Sequence, residues 1–84
     1  MNVDELMKEV LACFPGHSDN SIKEGDLIMP QHLAVSAKIS PLQAKVLLDS
    51  LCEVGYFVFE EATERKVAGY HLTEKGYLFY LQNN

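Results

Sequence analysis

Apolar residues recur at Val3, Leu6, Met7, Val10, Leu11 and Phe14, the three-and-four spacing of one helix face. The pattern predicts a first helix over residues 3–14, with Asp4 and Glu5 at the positive end of its dipole and Pro15-Gly16 as its stop. Residues 15–26 read as a polar loop with Ile22 as an apolar anchor. Leu27-Ile28-Met29 suits a short strand, and Pro30 suits the first position of a second helix over 30–37 that buries Leu33, Ala34 and Ala37. After a tight turn at Lys38-Ile39, Ser40-Pro41 restarts a helix as N-cap and first residue. This third helix, 40–54, turns Ala44, Leu47, Leu48 and Leu51 inward and stops at Gly55.

The period then changes. Tyr56 to Glu60 is rich in aromatic and branched residues and predicts a strand. Glu61 to Arg65 is a polar turn, and Lys66 to Leu72 returns as a second strand, making a hairpin over 56–72. Thr73 caps a last helix over 73–82, with Leu78 and Leu81 as its inward face. The expected fold is one domain over 1–84, mainly α with a small β-hairpin wing (α+β). Its order is helix, short strand, helix, helix, strand, strand, helix, that of a winged helix-turn-helix. A three-helix bundle with a stray hairpin has the same periodicities and stands as the alternative.

Several stretches resemble the winged-helix core of the MarR-like and PadR-like regulators. They are Pro30-Gln31-His32-Leu33-Ala34, Ile39 to Ala44, Leu47 to Tyr56, and His71-Leu72-Thr73-Glu74-Lys75-Gly76. The last is the most specific. The resemblance implies transcriptional regulation, with the third helix laid in the major groove of double-stranded DNA. On that basis Ser40 meets a phosphate, Gln43 an adenine edge and Lys45 a guanine or phosphate. Pro41, Leu42 and Val46 point outward beside them. In the wing, Lys66 matches a family arginine and Arg65 sits next to it, within reach of a minor groove. The chain also departs from the family, and the long flanking helices that dimerise MarR-like proteins are not expected in it. Glu60, Glu61 and Glu64 share the wing with those cations, Val46 stands where a basic residue is common, and Lys38 occupies a turn position that often holds glycine.

Charge adds a second reading. The net charge is −5, unlike a general polyanion binder. Residues 1–35 carry two basic and six acidic groups, residues 36–69 four and five, and residues 70–84 one of each. The acidity is therefore at the front, and the later half still tolerates a phosphate backbone. The alternative is a protein-interaction module on the same scaffold, using its acidic surface or the aromatic C-terminal helix. Tyr77, Phe79 and Tyr80 are the candidate partner or homodimer surface there, because Tyr77 to Leu81 is apolar nearly all round.

Other chemistries lack their residues. His17, His32, His71, Cys13 and Cys52 contain no close metal-ligand pair, so no metal or other cofactor is expected. A phosphate-binding glycine loop and a nucleophile motif are missing too, and the expectation is a non-enzyme. Both cysteines sit in apolar helical patterns and read as free thiols of a cytoplasmic protein. No apolar run approaches a membrane span, and the first residues do not resemble a secretory signal.

Overall fold

The computed structural model describes residues 2–83; Met1 and Asn84, the ends of the expected domain, lie outside the described residues. Asn2 opens α1 (Val3–Ala12), its Oδ1 accepting the Glu5 N–H at 2.8 Å. The helix stops two residues before the expected end. Pro15 disfavours helical backbone at Phe14, and Gly16 then turns through φ 89°. Phe14 still enters the core, where its ring stacks on Phe57 at 5.9 Å. The loop that follows contains a 3₁₀ turn at His17–Asp19, and Ile22 is buried in it.

A two-residue strand, β1 (Leu27–Ile28), leads into α2 (Pro30–Ala37). Leu33 and Ala34 face inward; Ala37 does not. Lys38 adopts left-handed backbone at φ 59° and carries the chain away after only two turns of helix. His32 ties α2 to the end of α1, its Nε2 lying 2.9 Å from the Cys13 carbonyl. Next, α3 (Pro41–Val54) begins with a capping box and ends at Gly55, whose φ of 95° suits a residue without Cβ. Ala44, Leu48 and Leu51 are fully buried, whereas Leu47 is only half-buried.

The sheet has the order β1-β3-β2 and is antiparallel throughout, with β2 at Phe57–Glu60 and β3 at Gly69–Leu72. Ile28 and Phe59 both pair with Tyr70, and Phe57 pairs with Leu72. By the pleat, these five side chains share the face that meets the helices, while Leu27, Val58 and His71 share the other. The second hairpin strand starts three residues later than its sequence suggests. Thr63 explains this: its Oγ1 accepts the N–H groups of Arg65 and Lys66, and its own N–H bonds the Lys66 carbonyl at 2.9 Å. That local turn takes up backbone groups which a longer ladder would have used.

Thr73 caps α4 (Glu74–Asn83) through its Oγ1, which accepts from the Gly76 N–H and donates to the Gly55 carbonyl at 2.6 Å. The face of α4 is the reverse of that expected. Gly76, Phe79 and Tyr80 are buried, and Leu78 and Leu81 are 48% and 51% exposed. A Cβ on Gly76 would run into the Tyr56 carbonyl and the Leu72 side chain, so this glycine seats the helix. Residues three and four places on then turn inward with it.

Among the described residues the fold is α+β, four α-helices and a three-stranded antiparallel sheet. A bundle with a stray hairpin is set aside, because β3 is the middle strand and Tyr70 and Leu72 lie within the core. Among the described residues, no helix is long and apolar enough to cross a membrane.

Candidate interaction face

The outer side of α3 presents two kinds of residue, and the polar ones in its first half are already engaged. Ser40 Oγ accepts the Gln43 N–H at 3.1 Å, while Gln43 Oε1 accepts the Ser40 N–H at 3.0 Å. A two-point contact from Gln43 to an adenine needs that same Oε1. Reading a base therefore means opening the capping box. Lys45 Nζ lies 2.8 Å from Asp49 Oδ2, and Tyr70 donates its hydroxyl proton to Asp49 Oδ1 at 2.6 Å. The hydrogen bond to Lys45 lowers the pKa of Asp49 below its ordinary value, and the same bond raises that of Lys45. A phosphate must compete with this carboxylate for Lys45.

Beside these groups α3 exposes an apolar strip. Leu42 is 73% exposed and Val46 is 56% exposed. With Ile39, Gln43 and Leu47 they line an open hollow of about 350 Å³ that contains no charged side chain. Pro41 is exposed at its head. A second hollow, of about 360 Å³, lies between Tyr56 and α4. Its lysine is occupied: Lys75 donates to the Val54 carbonyl at 2.7 Å and sits over the Tyr56 ring. That side chain fastens α4 to the end of α3.

At the tip of the β2–β3 hairpin, Arg65 and Lys66 are exposed, and so are Glu60, Glu61 and Glu64. Five charges of mixed sign make this tip a weak attractor for phosphate. His71 stands on the outer face, with Nδ1 3.1 Å from the Gly25 carbonyl and Nε2 3.2 Å from Glu60 Oε1. The second contact is close, but it lacks the alignment of a hydrogen bond. Of the expected aromatic surface, Phe79 and Tyr80 are core residues, 8% and 6% exposed, and cannot meet a partner. Tyr77 is half-buried and stacks on Tyr80 at 6.3 Å.

The link from Asp49 to Tyr70 carries no sequence signal beyond a lone acid in an apolar helix, because its two ends are 21 residues apart. It has a measurable signature. Burial, and then the Asp49 carboxylate, push the Tyr70 phenol from 10.0 up to about 12. The fold favours the protonated phenol, so this stabilisation is intact below pH 10 and is lost as the pH rises through about 12. In an alkaline absorbance titration, one of the four tyrosines is expected to ionise last, and Tyr70→Phe to remove that component. Four tyrosines ionising together would contradict the link.

Cys13 and Cys52 are free thiols, half-buried against the core. Burial raises both pKa values, with Glu9 adding to the effect at Cys13 and Asp49 at Cys52. Thiolate is scarce at neutral pH. Native protein is therefore expected to react with an aromatic disulfide reagent roughly tenfold more slowly than the urea-unfolded chain; equal rates would show both thiols fully accessible. Among the described residues, no three His, Cys, Asp or Glu side chains converge as a metal site. Comparison with protein-family models, with curated proteins and with solved structures finds no match.

Proposed function

We propose that the chain is a winged helix-turn-helix domain that works by docking a protein on the outer face of α3, and not by catalysis. The order of elements supports the scaffold: a short strand between the first two helices, joined to a hairpin that follows the third. One observation carries the function. The side of α3 that would enter a DNA groove is headed by exposed Leu42 and Val46, and Gln43, Lys45 and Asp49 beside them are bonded within the helix and to Tyr70. An exposed apolar patch rimmed by polar groups is the mark of a protein contact. Free thiols suit a reducing compartment such as the cytoplasm.

A second reading, double-stranded DNA binding, is favoured by the exposed pair Arg65 and Lys66. Ser40, Gln43 and Lys45 would then open their local bonds to reach the duplex.

One experiment separates the two. A photo-crosslinking residue at position 42 in growing cells is expected to give a discrete protein adduct, with none from the same residue at position 23. Purified chain is expected to pass over random duplex DNA and heparin without retention at low salt. Retention that falls steeply with salt, with nucleic-acid adducts at position 42, would overturn the docking reading.

A further inference from the structure

We propose that the occupant of the α3 face is a second copy of this chain, paired antiparallel about a two-fold axis near Val46. The inference rests on the docking reading above and names its partner. Leu42 projects 73% exposed at the rim of the hollow that Ile39, Val46 and Leu47 help to line. A two-fold axis near Val46 lays this apolar strip on its own copy: Val46 packs against Val46, and each Leu42 flanks that contact. Phe79 and Tyr80 of the C-terminal helix cannot supply such a seam, since both are buried.

Charge supports a like partner here. The chain carries −5, yet residues 38–54 hold two cations, Lys38 and Lys45, and two anions, Asp49 and Glu53. Two copies therefore meet on this face without net repulsion. Lys38 stands before the helix and Glu53 near its end, both exposed. Antiparallel pairing lays the cationic head of each helix against the anionic tail of the other, and it opposes the two macrodipoles. One helix face is small beside the roughly 1,200–2,000 Å² of a stable interface, so the dimer is a reversible one in the micromolar range or weaker.

Sedimentation of the full chain from low micromolar to millimolar concentration is expected to show a monomer–dimer equilibrium. Leu42→Glu, at a position already in water, is expected to weaken association roughly tenfold or more without changing the melting curve. Lys38→Glu and Glu53→Lys should each weaken it, and the double exchange should restore it. Leu78→Glu, on the exposed side of α4, should leave it unchanged. A monomer at every concentration, or a dimer lost with Leu78→Glu and kept with Leu42→Glu, would overturn the self-pairing. The crosslinker at position 42 distinguishes the failures. An adduct heavier by something other than 9.4 kDa would sink self-pairing and leave the docking face standing, whereas no adduct at all would sink both.

Discussion

Gly76→Ala is expected to lower the melting temperature by about 10–20 °C, followed by far-ultraviolet circular dichroism. Two effects oppose each other at this position. Alanine is the better helix former, by about 1 kcal/mol in a helix interior. Its methyl group, however, would have to displace the backbone carbonyl of Tyr56 and the Leu72 side chain. A backbone wall cannot rotate aside, and overpacking of this kind costs about 3 kcal/mol or somewhat more. Sterics therefore outweigh propensity. Gly69 provides a graded control, because a Cβ there meets chiefly the end of the Leu27 side chain, which can move. Gly69→Ala should fall between wild type and Gly76→Ala; a Gly76→Ala protein as stable as wild type would mean that α4 does not seat against Tyr56 and Leu72 as described.

Tyr70→Ala is expected to be the more damaging change. The side chain is 1% exposed, lies 5.1 Å from the Phe59 ring and holds Asp49. Removing a buried aromatic costs about 3–5 kcal/mol. A domain of this length has roughly 4–13 kcal/mol in all, so a large part of the stability goes with it. Tyr70→Phe divides the loss. It keeps the ring and removes one hydrogen bond to a charged group, nominally about 1.5–3 kcal/mol. The Asp49 side chain is 49% exposed, and water replaces part of that bond. About 1 kcal/mol is therefore the expected cost of Tyr70→Phe by urea unfolding. If the two variants were equally unstable, the hydroxyl and not the ring would be holding the hairpin to α3.

The same contacts explain which parts of the molecule were legible in the sequence. Ser40-Pro41 and Gly55 bracket α3 because a capping side chain, a fixed φ and a left-handed stop are local requirements. The phase of α4 was not local. Tyr77 to Leu81 is apolar on nearly every side, so periodicity alone cannot choose a face. The choice is made by Gly76 against the Tyr56 carbonyl, a contact across 20 residues. The sequence cue was a glycine inside a helix, which marks a close approach more often than a defect. At the candidate site, Leu42 and Val46 could be placed outward from helical spacing. That Gln43 and Lys45 spend their polar atoms on near neighbours was legible in the Ser40-x-x-Gln43 and Lys45-x-x-x-Asp49 spacings, whereas the Tyr70 hydroxyl on Asp49 comes from 21 residues away and leaves no local cue.

The pairing of β1 with β3 sets an order of events for the growing chain. Ile28 finds its partner at Tyr70, 42 residues later, and Phe57 pairs with Leu72. The first three helices can form from local contacts while that partner strand is still inside the ribosome. They cannot cover their shared apolar surface until β3 arrives between its two neighbours. Closing so long a loop is the slow event in folding of this kind. During synthesis, the apolar surface of the helices thus stays open until β3, and then Phe79 and Tyr80 of α4, have emerged.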